Sequence, residues 1–208
     1  MTNRPAVLQV LRKPPERRAP AAERCDFCGA GIDEIHGHIV DLPRRALLCV
    51  CRPCYLLFTQ DGAGGARFRA VPERYESLAD FSTAAEPWAA LEIPIGLAFF
   101  LTNGSTGRTT AFYPSPAGAT ESELPLDAWT EMVRAVPPLA ALTPDVEALL
   151  VNHTLDRMDA FIVPVDACYE LVGRIRRAWR GFQGGDEVRR EVDDFFTRTA
   201  ERARGSAA

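Results

Sequence analysis

The sequence has no long hydrophobic run, and this absence bears on where the protein resides. No stretch of the chain approaches the ~18 to 20 uninterrupted apolar residues that a membrane-spanning helix needs. The first residues are charged and rich in proline, whereas a secretory signal has an apolar segment there. We therefore expect a cytoplasmic protein without a membrane span.

Lysine is also nearly absent, since Lys13 is the only lysine among 24 basic residues. The formal net charge is −4, but residues 1–24 alone carry +4 from six basic and two acidic side chains. This segment has four prolines and no sustained apolar periodicity, so we expect a flexible basic tail over residues 1–24. The acidic remainder lacks the basic face that nucleic-acid-binding domains present. Nucleic acid is therefore not an expected partner.

The motifs of two common enzyme classes are missing. The glycine-rich residues 62–65 lack the strand-to-helix context and the Lys-Ser/Thr ending of a phosphate-binding loop. Ser115 is not in a G-x-S-x-G elbow, and the three histidines are too dispersed to complete a Ser-His-Asp triad. The sequence favours a non-enzymatic protein without deciding the question.

Cysteine, by contrast, is concentrated in one part of the chain. Five of the six cysteines fall within thirty residues, in the order C-x2-C, twenty residues, C-x-C-x2-C: Cys25, Cys28, Cys49, Cys51 and Cys54. In a cytosolic chain, CxxC pairs separated by the length of a hairpin indicate a tetrahedral metal site before they indicate disulfides.

Each cysteine pair has a local pattern that suits a metal site. Cys25 and Cys28 form a knuckle, in which two thiolates three residues apart converge on one ion, and Gly29 supplies the positive φ with which the chain turns away. The second pair encloses Pro53 and runs into the apolar residues 55–58, which is typical of the start of a helix. Between the pairs, residues 38–50 have the pattern of a β-hairpin.

Knuckle, hairpin and helix-borne pair together resemble a treble-clef zinc finger, which we expect over residues 25–58 with Zn2+ as the cofactor. The alternative is an iron-tetrathiolate site, as in a rubredoxin-like electron-transfer protein. A rubredoxin-type site has a second CxxCG knuckle, and this chain departs from that pattern at Tyr55. The sequence therefore favours zinc and leaves iron open.

The two CxxC spacings favour four ligands: Cys25, Cys28, Cys51 and Cys54. On a strand, Cys49 and Cys51 would point to the same face, so Cys49 is a possible substitute ligand. Its other interpretation is a buried small side chain. We expect His36 and His38, at the entrance of the hairpin, to be solvated or to donate hydrogen bonds to sulfur.

Cations near the site would help to keep four thiolates ionised, because the tetrathiolate complex has a formal charge near −2. The sequence offers four arginines for this role: Arg24, Arg44, Arg45 and Arg52.

The rest of the chain has the pattern of an α+β domain. We expect a linker or irregular segment, with an edge strand as an option, over residues 59–88 and the domain over residues 89–204. Two β-hairpins, a helix at 126–135 between them and two C-terminal helices predict a mainly antiparallel sheet packed with helices. Cys168 is expected to be a buried packing thiol.

Residues 113–125 are rich in turn formers and hydroxyl groups. The simplest interpretation is a proline-shaped connection that leads into a helix. The functional alternative is a partner-recognition surface that also includes the turn at 179–185, for which the candidate residues are Ser115, Thr120, Glu121 and Arg180.

Four segments carry a resemblance that spans nearly the whole chain after residue 24: the CxxCG knuckle, LLCVCRPC, YPSPAGATES and VDACYELVGRIRRAWRGFQGG. They are similar to those of an uncharacterised bacterial family whose genes lie beside those of uptake nickel–iron (NiFe) hydrogenases and their maturation factors. The resemblance implies a zinc-binding accessory or assembly protein that acts by protein–protein recognition. Its implied partner is a hydrogenase subunit or maturation factor.

Overall fold

The computed structural model describes residues 23–206, except residues 61, 80, 94, 116–117, 124–125, 155–156 and 181–184. Most of the predicted basic tail and part of the predicted turn at 179–185 therefore lie outside the described residues. The described part of the chain contains nine strands and five α-helices: β1 Gly37–Asp41, β2 Ala46–Val50, α1 Arg52–Leu56, β3 Phe68–Ala70, β4 Glu76–Ser77, α2 Ala85–Ala90, β5 Leu97–Thr102, β6 Thr109–Ser115, β7 Gly118–Glu123, α3 Leu126–Ala135, β8 Glu147–His153, β9 Met158–Pro164, α4 Val165–Ala178 and α5 Gly185–Ser206.

The first strands form a three-stranded antiparallel sheet in the order β2-β1-β3. The β1–β2 register places Ile39 opposite Leu48 and His38 opposite Cys49. Because side chains alternate across a strand, Ile39 and Val50 face one side and are fully buried, in a cluster with Tyr55 and Phe58. We use the name metal module for three parts together: this small sheet, the knuckle that contains Cys25 and Cys28, and α1.

The later strands form a six-stranded antiparallel sheet in the order β4-β9-β8-β5-β6-β7. Its central strands have apolar side chains on both faces, and successive residues along each strand belong to two separate cores. Phe100 and Leu149 pack on one face, whereas Phe99 and Leu150 pack on the other. This explains why β5, β8 and β9 have nearly continuous apolar runs where a one-sided sheet would alternate.

Helices cover both faces of this large sheet. On the face of Phe100, the sheet packs against Trp88 of α2 and Met132 of α3. On the opposite face it packs against Leu171 and Ile175 of α4, and against residues of α5. The predicted α+β class is confirmed, with antiparallel sheets and helices.

The metal module lies against one end of the large sheet. Four valines form the apolar contact between them: Val40, Val71, Val146 and Val165. Arg69 of β3 donates a hydrogen bond to the Pro144 carbonyl at 3.1 Å, just before β8. The Tyr55 hydroxyl donates a hydrogen bond to the Val71 carbonyl at 2.9 Å, which fixes α1 to the chain directly after β3.

Two segments differ from the simplest expectation. Residues 59–88 contain β3, an edge strand of the small sheet, and β4, an edge strand of the large one. The segment expected as a connection at 113–125 is part of a hairpin, in which β7 pairs with β6 from Thr110↔Glu123 to Ser115↔Gly118. None of the helices in the described ranges has both the length and the apolar composition that a membrane crossing requires.

Candidate metal centre

The structure brings four cysteine sulfur atoms together, and they belong to the two CxxC pairs: Cys25, Cys28, Cys51 and Cys54. Their Sγ atoms all lie within 4.8 Å of one another, and Cys28 Sγ is 3.6 Å from Cys51 Sγ. A disulfide would need about 2.05 Å. A tetrahedral ion with metal–sulfur bonds of about 2.3 Å holds its sulfur ligands about 3.8 Å apart, so the donor set fits a metal such as zinc.

The knuckle takes its shape from a tight turn closed by backbone hydrogen bonds. Cys25 N–H donates to the Ala30 carbonyl at 2.7 Å, and Gly29 N–H donates to the Cys25 carbonyl at 2.8 Å. Gly29 has φ of 77°, the left-handed value that the sequence predicted. The turn also aims the Cys28 N–H at Cys25 Sγ, at 3.4 Å.

The second pair is positioned by the start of α1. Cys51 is the residue before the helix, and its carbonyl accepts the Tyr55 N–H at 3.0 Å. Pro53 lies in the first turn, as predicted, where its missing N–H costs little. Cys54 is carried on the helix and is buried, so this pair presents one sulfur from the helix start and one from its interior.

The knuckle is fastened directly to the hairpin. Asp26 N–H donates to the Cys49 carbonyl at 2.9 Å, and Cys49 N–H donates to Asp26 Oδ2 at 2.8 Å. The ring of Phe27 packs edge-on against those of Phe58 and Phe68, at centroid distances of 5.2 and 5.5 Å. These contacts hold the first pair of thiols against the second.

The electrostatics of the cluster favour ionisation at one sulfur and oppose it at others. Burial disfavours the Cys25 thiolate, but backbone N–H groups outweigh burial and lower the pKa of Cys25 to about 6. An Ala30 backbone contact favours the Cys28 thiolate, yet the neighbouring sulfurs of Cys25 and Cys51 raise the pKa of Cys28. Burial raises the pKa of Cys54. A divalent cation would offset this crowding of negative charge, so metal uptake would release protons.

The expectation that four arginines surround the sulfur atoms is wrong for two of them. Arg44 and Arg45 lie in the turn between β1 and β2, five strand residues from the Gly37–Val50 end, a distance of about 16 Å. The other two lie at the cysteine end. Arg24 donates to the Gly29 carbonyl at 3.1 Å, and Arg52 pairs with Glu73 at 3.4 Å.

Cys49 is separate from the four-sulfur cluster and belongs to a second group of ligand-type side chains. One ligand atom each from His36, His38 and Cys49 lies within 4.8 Å of the others. The sequence placed both histidines at the hairpin entrance but did not connect them with Cys49. The usable signal was the His-x-His spacing on a strand, which puts both rings on one face. The pairing of His38 with Cys49 depends on the hairpin register.

The candidate partner-binding residues lie in two places. Ser115, Thr120 and Glu121 are on the β6–β7 hairpin, where Thr120 is opposite Tyr113 and Glu121 is exposed. Arg180 follows α4 and donates hydrogen bonds to the carbonyls of Arg177 and Trp179. These positions establish no binding role.

Comparison with known families identifies the chain. The family of unknown function DUF5947 matches residues 24–203. The match covers most of the sequence, so the chain belongs to this family. Comparison with curated proteins and with solved structures gives no match.

Proposed function

We propose that the protein is a cytoplasmic zinc-binding accessory or assembly protein, which acts by protein–protein recognition and serves a nickel–iron hydrogenase. The observation that carries the zinc assignment is the convergence of four cysteine sulfur atoms from two distant stretches of chain. Cys25, Cys28, Cys51 and Cys54 would be the ligands, in a treble-clef-like arrangement of knuckle, hairpin and short helix. Four protein thiolates leave no open coordination position, which is typical of structural rather than catalytic zinc.

The metal would stabilise a module whose own core is small. Among the residues that the structure describes, its buried apolar cluster has six members: Cys25, Ile39, Val50, Cys54, Tyr55 and Phe58. Two of these six are proposed ligands, so the ion would lie directly beside the core. In small modules of this kind metal binding supplies folding free energy of order 10 kcal/mol.

An exposed apolar patch on the metal module supports a recognition role. We call it the module patch: Phe27, Leu56 and Leu57, which are 45%, 51% and 60% exposed. Phe27 packs against Phe58, which directly follows the two leucines in the chain. Large exposed apolar side chains on so small a module are typical of protein-interaction surfaces. A hydrogenase subunit or maturation factor as the partner is supported by the resemblance of the sequence segments.

Elemental analysis of protein purified without added zinc tests the metal assignment. We expect one zinc ion at the four-cysteine cluster and a colourless protein. Strong visible absorption with stoichiometric iron would instead support the rubredoxin-like electron-transfer alternative. A folded chain that takes up neither metal would refute both.

Co-purification from the native host tests the recognition role. We expect hydrogenase subunits or maturation factors to be identified with the wild-type chain and to be lost from a Leu56→Asp, Leu57→Asp variant that retains its zinc. Ile95→Asp is the matched control, because Ile95 is also exposed, at 41%, but lies outside the metal module. Equal recovery of these partners with both variants would refute the module patch as the docking surface.

A further inference from the structure

The hairpin of the metal module brings a second set of metal-binding side chains together on one face. His38 of β1 is directly opposite Cys49 of β2, and His36 lies two residues before His38. The two imidazole rings are 4.8 Å apart between centroids. One ligand atom from each of the three residues lies within 4.8 Å of the others. This set shares no residue with the four-cysteine cluster.

Both histidines are oriented by hydrogen bonds from Nδ1. His36 Nδ1 is 2.8 Å from the Asp33 carbonyl oxygen, and His38 Nδ1 is 2.7 Å from Asp166 Oδ2. Both partners are acceptors, so in the neutral ring Nδ1 carries the proton and Nε2 has the lone pair that a metal ion needs. Metal-bound histidines are oriented in this way, by a carbonyl or a carboxylate at the nitrogen that does not face the ion.

One of these nitrogens is buried without a partner. His36 Nε2 is inaccessible to solvent and forms no hydrogen bond. A buried polar atom in this state costs free energy, so its presence calls for a missing partner. A metal ion bound at Nε2 would supply that partner.

We propose that His36, His38 and Cys49 form a second metal site, which binds a divalent transition-metal ion such as Zn2+ through two imidazole nitrogens and one thiolate. This donor set suits a borderline-soft ion of the Co2+ to Zn2+ series. In a tetrahedral zinc site the two nitrogens lie about 3.3 Å apart and each nitrogen lies about 3.6 Å from the sulfur, so side-chain rotations that move the ligand atoms by about 1 Å would complete the geometry.

The local charges suit a divalent ion. The ion and the Cys49 thiolate would together carry a formal charge of +1, and the Asp166 carboxylate on His38 would bring the total close to zero. Asp26, whose carboxylate accepts the Cys49 N–H, adds further negative potential. This second site would therefore bind its ion without the excess negative charge of the four-cysteine cluster.

The site would differ from the four-cysteine cluster in its accessibility. Three protein ligands leave a fourth coordination position for water or for a donor from another molecule. A cavity of about 450 Å3 is lined by both histidines and by Glu34 and Glu73. The second ion would be exchangeable, whereas the first would be structural.

The site also lies where the metal module meets the large sheet. Asp166, which orients His38, is in the first turn of α4. Occupancy of the second site would therefore connect the hairpin with the domain that follows it.

Cobalt titration of the zinc-loaded full-length chain tests the proposal. With one equivalent of Zn2+ already bound at the four cysteines, Co2+ should not displace it, because zinc binds thiolates more tightly. We expect one further equivalent of Co2+ to bind, with a thiolate-to-cobalt charge-transfer band and the visible bands of tetrahedral cobalt.

Two variants and one control locate the second ion. His36→Ala and Cys49→Ser should each lose the second equivalent and retain the first, and Cys49→Ser should also lose the charge-transfer band. His153→Ala, which removes the histidine outside the cluster, should still bind both ions. A wild-type chain that saturates at one ion would refute the second site alone, and so would a second ion that persists in both variants. A chain that binds no ion would refute the first site as well.

Discussion

Substitution of Cys28 by alanine separates the contribution of the metal from that of packing. Cys28 is exposed, so its truncation removes a proposed ligand and almost no buried volume. Its Sγ is 3.6 Å from that of Cys51, within the proposed coordination sphere. Any large effect of Cys28→Ala would therefore arise from the ion and not from a cavity.

The expected magnitude follows from the four-fold donor set. Structural zinc contributes about 10 to 16 kcal/mol in small modules, which is about 2.5 to 4 kcal/mol for each of four ligands. Loss of one ligand should therefore weaken zinc binding by about 10^2 to 10^3-fold. Competition with a chromophoric chelator measures this change directly.

Hydrogen exchange reports where the chain loses order. After chelation of Cys28→Ala, we expect the amides of β1 and β2 to lose protection, whereas those of β5, β8 and β9 keep it, because the large sheet has two cores of its own. Cys168→Ala is the matched control, since this thiol lies on α4 in a core of the large sheet and belongs to neither set of proposed ligands. Unchanged zinc affinity in Cys28→Ala, or unchanged protection of β1 after chelation, would contradict a structural metal.

Three further predictions concern stability. Phe100 is 1% exposed between two tryptophans, so Phe100→Ala should cost about 3 to 5 kcal/mol in urea denaturation, and a loss below 1 kcal/mol would contradict this packing. Gly29→Ala should destabilise the folded metal module by about 1 to 2 kcal/mol, because a side chain at Gly29 has space but its φ of 77° is unfavourable for alanine. Gly31→Ala is the control, because its new side chain meets no atom within 4 Å and its φ is not positive. It should have little effect in the same chelator assay. The hydrogen bond from Arg67 lowers the pKa of the Asp41 carboxyl group, although burial opposes this shift. The ionised carboxylate therefore stabilises the folded state fully above its pKa in the unfolded chain, which is about 3.9. This stabilisation is lost as the pH falls through the lower pKa of the folded state. Asp41→Asn should therefore be destabilised at neutral pH and should lose less stability than wild type on acidification, as measured by urea midpoints.

The cysteine cluster and most elements of the large sheet could be predicted from the sequence. Two CxxC pairs separated by a hairpin length indicate convergence because few other arrangements satisfy their spacing. The helix at Leu126–Ala135 has the bounds that the sequence predicts, and the second expected hairpin is present as β8 and β9, because apolar periodicity reflects burial directly.

Other features depend on contacts that leave little trace in the sequence. β7, with the sequence GATESE, is an edge strand with no apolar alternation, and its strand conformation comes from pairing with β6. β3 has only three residues and is recognisable through its pairing with β1. The association of His36 and His38 with Cys49 requires the hairpin register, which depends on the turn between the strands.

The position of β1 at the centre of the small sheet matters for the design of expression fragments. A polypeptide that ended at residue 58 would contain β1 and β2 but not β3, so one side of β1 would present unpaired backbone groups along the Ile39–Asp41 stretch. Bare strand edges of this kind pair with other chains and cause aggregation. A fragment meant to report on the cysteines alone should therefore extend through Val71, since precipitation of a shorter piece would reflect its missing neighbour strand and not its affinity for an ion.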